Sequence, residues 1–216
     1  MKASATNKSL LPLPNDLKKL CKTICLLDAI LCQEWEYRYY SYDKKWSEDE
    51  EFFQMRDGEG NDMMILFKQD GTVINGFEHE LYDYEAELPS KEKLTDKLPE
   101  QYSEFIFGEL IATIGTTYCI WTDDNNQWTT GVLEHEQDGS EEQLAIFNTD
   151  PNTYIKWAVD YYYEGEELSD SSIEVIKSIY QGVTLTKEMI TTLAPELEDW
   201  DLLKEDINGI GYPSTI

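Results

Sequence analysis

A chain of 216 residues that is 41% hydrophobic and 12% aromatic carries enough apolar mass for a core and fits a single domain. Its 44 acidic residues against 17 basic ones give a net charge of −27, a field that repels nucleic acid and anionic membranes and either steers basic partners or serves solubility alone. No apolar run approaches the ~20 residues that span a bilayer, and "MKASATNKSLLPLPND" lacks the apolar stretch of a signal peptide, so the expectation is a cytoplasmic protein.

The charge is uneven. Residues 1–97 hold 13 Lys/Arg and 20 Asp/Glu, whereas residues 98–216 hold 4 and 24, with no Lys or Arg from Leu98 to Ile155. The second half alone therefore carries −20.

In chain order, "DLKKLCKTICLLDAILC" repeats apolar residues at helical spacing, with Asn15 or Asp16 available as a cap after Pro14, and predicts a helix to about Cys32. "WEYRYYSY" alternates like a strand, and "KKWSEDEE" reads as a polar excursion. "FFQMR", "MMILF" and "TVINGF", separated by "DGEGND" and "KQDG", predict a strand meander with Asp70-Gly71 in a hairpin turn. "YDYEAELPSKEKLTDK" reads as a charged loop. Pro99 opens a helix through "EQYSEFIFGELIATIG" that ends at Gly115. "TTYCIW" and "WTTGVLEHE" form a second hairpin. Asp150-Pro151 caps a helix in "NTYIKWAVDYYYEG", Ser171 and Glu174 suit a capping box, and "TKEMITTLA" and "DLLKEDI" predict short helices. Segregated strands and helices indicate an α+β fold with an antiparallel sheet, organised as one domain over 1–216. Its start, 1–14, is expected to be flexible, and 150–216 to form a helical extension packed on the sheet.

Cys21, Cys25 and Cys32 fall roughly on one face of the first helix, and Cys119 lies in "YCIW". Their spacing matches no zinc motif, which points to core packing and free thiols.

The two histidines sit in similar settings, "GFEHE" at 76–80 and "LEHE" at 133–136. Strand alternation would put His79 and His135 on the apolar face and the flanking glutamates outside, so one histidine and its neighbours cannot easily share an ion. A metal or acid–base site would require the two hairpins to bring His79 and His135 together, with Asp83, Glu80 or Glu136 completing it. "HELYD" lacks the second histidine of the metalloprotease helix, and "DGEGND" has Asp62 where a calcium loop needs glycine. The aromatic run Tyr37, Tyr39, Tyr40, Tyr42 and Trp46 reads as core or interface.

"WEYRYYSYDKKWSEDEEFFQMRDGEGNDMMILF", "GFEHE", "YCIW" and "LKEDINGIGYP" resemble a group of functionally uncharacterised bacterial proteins of similar length. That resemblance implies no activity and no site residues. In general character (small, acidic, α+β, without a catalytic signature) the chain is also similar to immunity proteins of bacterial toxin systems.

With no nucleophile, base or cofactor cradle legible, the leading expectation is a non-enzymatic module that binds a basic protein, without cofactor. Asp123, Asp124, Glu134, Glu136, Asp138, Glu141 and Glu142 would supply the charge, and Trp128 an aromatic anchor. The alternatives are a metal-assisted hydrolase built on His79 and His135, and a DNA mimic whose carboxylates imitate phosphates.

Overall fold

The computed structural model describes residues 2–135 and 137–216. Its centre is an open antiparallel sheet of six strands in simple meander order: β1 (Tyr40–Ser47), β2 (Glu50–Arg56), β3 (Asp62–Lys68), β4 (Gly71–Phe77), β5 (Tyr118–Thr122) and β6 (Trp128–Thr130). The α+β fold with an antiparallel sheet follows from the sequence and is what the structure has.

Register explains why "MMILF" is apolar throughout. Phe53, Ile65, Ile74 and Ile120 lie opposite one another across four strands, and so do Phe52, Leu66, Val73 and Trp121 one residue along. Successive strand residues point to opposite faces, so these two rows are the two sides of the sheet. Both sides are buried.

The first row faces the main core. There α1 (Pro14–Leu31) contributes Leu17, Ile24 and Leu27. From the C-terminal half, α6 (Pro151–Tyr162), α7 (Asp170–Tyr180), α8 (Lys187–Leu193) and α9 (Trp200–Ile210) add residues such as Ala158, Ile176, Ile190 and Leu203. The second row is covered by the segment between β4 and β5, through Tyr102, Ile106 and Ile111. Each such side chain, fully withdrawn from water, stabilises the fold by about 2 kcal/mol before chain entropy is counted. Cys21, Cys25 and Cys119 are buried in these layers, Cys32 is half-buried, and all four are free thiols.

Several local expectations are corrected. The first helix begins one residue before Asn15, with Pro14 at its first position and Leu13, which offers no side-chain bond, at the cap. Trp35–Tyr37 forms a single 3-10 turn, and the strand begins only at Tyr40. The excursion "KKWSEDEE" is instead the β1–β2 hairpin, with Ser47 opposite Glu50. The charged loop 82–97 contains a short helix, α2 (Lys91–Leu94). The helix expected from Pro99 is a 3-10 turn, then α3 (Ser103–Phe107) and α4 (Glu109–Ile114). They are separated at Gly108, where a Cβ would lie 2.5 Å from the Glu104 carbonyl. Ser169, not Ser171, caps α7, accepting from the Ser172 N–H. The start of the chain is packed rather than free: Ala3, Ala5 and Leu11 are buried and the Ala5 N–H donates to Ser140 Oγ. Asp150 does cap α6, by accepting from the Asn152 N–H.

One buried charge knits the layers. Asp28 of α1 is fully enclosed, and its carboxylate accepts from the Tyr40 N–H of β1 at 2.9 Å and from the Tyr154 and Tyr162 hydroxyls of α6 at 2.8 and 2.9 Å. Burial pushes its pKa up to about 7 against those hydrogen bonds and the nearby Arg38 charge. Asp62 is also pushed up to about 7 by burial; Gln54 bonds one oxygen, and the other has no partner among the described residues.

Asp28→Ala would leave three donors without this acceptor, two of them fully buried. The unfolding free energy in urea is expected to fall by about 3 kcal/mol or more, whereas Tyr162→Phe, which removes one donor, should cost about 1 kcal/mol. A loss for Asp28→Ala no larger than that for Tyr162→Phe would contradict this.

The same carboxyls set a pH dependence. Their ordinary value is 3.8, against about 7 in the fold. Between these limits the folded protein holds protons that the unfolded chain has released. The stability they contribute is therefore full below the ordinary value and is lost as pH rises to about 7. Urea midpoints should fall across that window, and fall less steeply in Asp62→Asn, which removes one titration. An unchanged slope would contradict the assignment.

Candidate functional site

The sequence-selected histidines do not behave as paired strand residues. β4 ends at Phe77 and β6 at Thr130, so neither histidine lies on a strand. His79 opens a 3-10 turn (His79–Leu81), half-buried against the 57–61 loop. Its backbone N–H donates to Asn61 Oδ1 at 2.9 Å, and its Nδ1 lies 3.0 Å from the same oxygen, which requires the tautomer protonated at Nδ1. His135 is exposed in an irregular segment after β6. Asp83 holds a turn by accepting from the Glu85 and Ala86 N–H groups. Among the described residues, no three His, Cys, Asp or Glu side chains are grouped as metal ligands.

The expected partner-binding residues scatter in role. Glu136 lies outside the described residues. Trp128 is half-buried, packed against the core, and its indole N–H donates to the Pro12 carbonyl at 2.8 Å, so it fastens the N-terminal segment to the edge strand. Glu134 accepts from the Ser90 N–H and from Lys93 Nζ, which places it at the start of α2. Asp123 closes the β5–β6 turn by accepting from the Asn125 and Gln127 N–H groups, and Asp124 beside it is exposed.

Asp138, Glu141 and Glu142 differ from these. They come together with two acids from β4's exit and one from the β2–β3 turn. A cleft of about 320 Å³ has Asp57, Glu78 and Glu142 in its walls, together with Tyr39, Tyr40, Trp157 and Gln143. A second lobe of about 330 Å³ shares Glu78 and Glu142 and adds Glu80, Asp138 and Glu141. No Lys or Arg lines either lobe among the described residues.

The fold builds this cleft from its buried side. Gln143 ends the short helix α5 (Ser140–Gln143); its Oε1 accepts from the Tyr118 hydroxyl at 2.8 Å and its Nε2 donates to the Phe77 carbonyl at 3.0 Å. The same nitrogen lies 3.5 Å from Glu78 Oε2. A buried amide with both ends engaged thus fixes where Glu78 stands as the chain leaves β4. The Glu78 N–H donates to Thr117 Oγ1, which in turn donates to the Asp138 carbonyl at 2.8 Å. Asp57 anchors its own loop by accepting from the Glu59 and Asn61 N–H groups.

Electrostatically the site is under-compensated. Burial raises the Glu78 carboxyl above its ordinary value, and the neighbouring Asp57 charge adds to the rise, against hydrogen bonds from Gln143 and Asn61. Burial raises Asp138 likewise, against its bonds from Ser140. Asp138 is only 7% exposed, and Ser140 donates to its Oδ1 from both N–H and hydroxyl. Among the described residues its Oδ2 has no partner. Of the cleft's acids, Glu141 has an exposed pairing with Lys2 at 3.9 Å, and carboxylates set beside aromatic rings favour a cation over an anion.

Asp138, Glu141 and Glu142 are legible in the sequence, whereas strand alternation assigns Glu78 outward and nothing local marks Asp57, Gln143 or Trp157. They belong to separate segments, and only the assembled sheet and helices bring them together. No protein family, curated protein or solved structure matches the chain.

Gly139 is a sharp test of this construction. It sits at φ +83°, and a Cβ there would lie 2.6 Å from Glu78 Cβ. Gly165, at φ +86° with open space around it, shares the backbone strain but not the contact. Gly139→Ala is expected to lower stability by about 2 kcal/mol, more than Gly165→Ala, in thermal melts. Equal losses would mean that Glu78 does not press on this turn.

Proposed function

We propose that the protein is a non-enzymatic binding module for a basic protein, of the kind that an immunity or inhibitor protein provides against a basic bacterial effector. The observation that carries this reading is the two-lobed cleft, which gathers acids from three parts of the chain and has no lysine or arginine in its described lining. The wider charge supports it, since residues 98–216 carry 24 acidic residues against 4 basic ones. A field of that sign accelerates encounter with a positive partner and opposes nucleic acid. No described helix is long and apolar enough to cross a membrane. The free cysteines suit the reducing cytoplasm, where we place the protein.

The test uses the tagged full chain as bait in extract of the cells that make it, at low salt and at about 1 M salt, where the screening length drops to about 3 Å. The expected result is retention of a basic protein at low salt, its release at high salt, and a salt-dependent Kd with the purified partner. Retention of no basic protein at low salt would end this reading.

A further inference from the structure

Two aromatic side chains stand in water on a turn that is itself firmly held. The 3-10 turn Trp35–Tyr37 has no buried residue, and Trp35 is 55% and Tyr37 61% exposed. Just after it, buried Arg38 donates to the Cys32 and Gln33 carbonyls and pairs with Asp206 of α9. On one side the Arg56 guanidinium lies over the Trp35 ring, Cζ 3.9 Å from its centroid, and donates to the Trp35 carbonyl at 3.4 Å. On the other the Tyr161 hydroxyl of α6 donates to the Tyr37 carbonyl at 3.4 Å. Tyr161 is itself 42% exposed, with its inner side stacked on Trp157. The contacts that clamp the turn are made largely by its backbone and by Arg38. The fold therefore makes little use of the two large side chains at 35 and 37.

Trp35, Tyr37, Tyr161 and Arg56 thus form one contiguous exposed patch, made of the residue types that anchor protein interfaces. Because the turn is already braced, ordering it costs little when a partner arrives. The rim is acidic. Exposed Glu34 and Glu36 flank Trp35, Asp57 and exposed Glu59 follow Arg56 in the β2–β3 turn, and exposed Asp160 precedes Tyr161. Against these five acids stand Arg56, covered by the Trp35 ring, and Lys156 one turn back on α6. We infer that this patch is the surface on which the protein partner docks, receiving an apolar side chain set among lysines and arginines. The rim attracts such a segment and rejects an acidic one. A second copy of this chain, at −27, is repelled for the same reason. The inference rests on the proposed function and adds to it the place of contact.

The experiment titrates the isotope-labelled full chain at low salt with acetyl-Lys-Leu-Lys-Leu-Lys-amide and follows the tryptophan indole signals by NMR. Two control peptides replace the leucines by serine, which keeps the charge alone, or the lysines by glutamate, which reverses it. Trp46 is an internal control: it is 45% exposed but follows Lys44 and Lys45. Saturable shifts are expected at Trp35 and not at Trp46, with the leucine–lysine peptide binding about tenfold or more tightly than either control. Tyr37→Ser, whose folding is checked by circular dichroism, should weaken that peptide by about tenfold. No saturable shift at Trp35, equal shifts at Trp46, a control peptide that binds as tightly, or unchanged binding in Tyr37→Ser would each overturn the inference. So would a dimer in sedimentation equilibrium that Trp35→Ser/Tyr37→Ser dissociates, since the occupant would then be a second copy. If the extract yields a salt-sensitive basic partner that this double variant retains fully, the surface is wrong while the proposed function stands. Peptide binding as expected with no basic protein retained would instead remove the proposed function and leave the chemistry of the patch intact.

Discussion

A carboxylate shut away from water with three donors around it organises this protein. Asp28 joins the first helix to the sheet through the Tyr40 N–H and to α6 through the Tyr154 and Tyr162 hydroxyls. Arg38 continues the connection. It is buried, donates to the Cys32 and Gln33 carbonyls, and pairs with Asp206 of α9 at 2.6 Å. An enclosed acid is costly unless its oxygens are satisfied, so this node penalises any arrangement in which α1, β1, α6 and α9 do not meet.

The cleft inherits its aromatic wall from that node. Tyr39 and Tyr40 are consecutive, and Trp157 lies on α6 between Tyr154 and Tyr162, so fastening Tyr40 and α6 to Asp28 also fixes Tyr39 beside Trp157. The acidic wall is fixed separately, through Tyr118, Gln143 and Glu78. Two satisfied buried networks thus support a surface that is itself unsatisfied. The cost appears as carboxyls raised by burial, which Gln143, Asn61 and His79 around Glu78 and Ser140 at Asp138 only partly offset.

What the sequence revealed tracks where one local force dominates. "MMILF" is legible because burial on both faces demands an unbroken apolar strand, and Asp150-Pro151 because a cap is a contact between near neighbours. The outer half of β1 was hidden because it is an edge. Asp43 to Ser47 run largely exposed, and their polarity, which discourages pairing with other chains, reads as loop. Trp35 and Tyr37 alternate as a strand would, yet they turn over Arg56 and Tyr161 instead of joining the sheet. Strand alternation does not reach the histidines. β6 stops at Thr130, and at Gly131 the chain runs so close to the Lys93 and Leu94 carbonyls that a Cβ would come within 2.5 Å of each. Of the site, the acids near α5 were legible from charge alone. Asp57, Glu78 and Trp157 were not, because each has a local neighbourhood that explains it without the others.

The central claim is that Glu78 and Asp138 are held partly out of water, with burial outweighing the bonds and charges that reach their carboxyls. Carbon-detected NMR titration of individual carboxyl groups in the free protein tests it directly. Glu78 should titrate above the ordinary glutamate value of 4.5 and Asp138 above the aspartate value of 3.8, while Glu134, bonded by Ser90 and Lys93, should titrate below 4.5. Titration of Glu78 and Asp138 at or below those ordinary values would mean that the cleft is open to water or internally compensated, and the account of it as a site that favours a cation would fall.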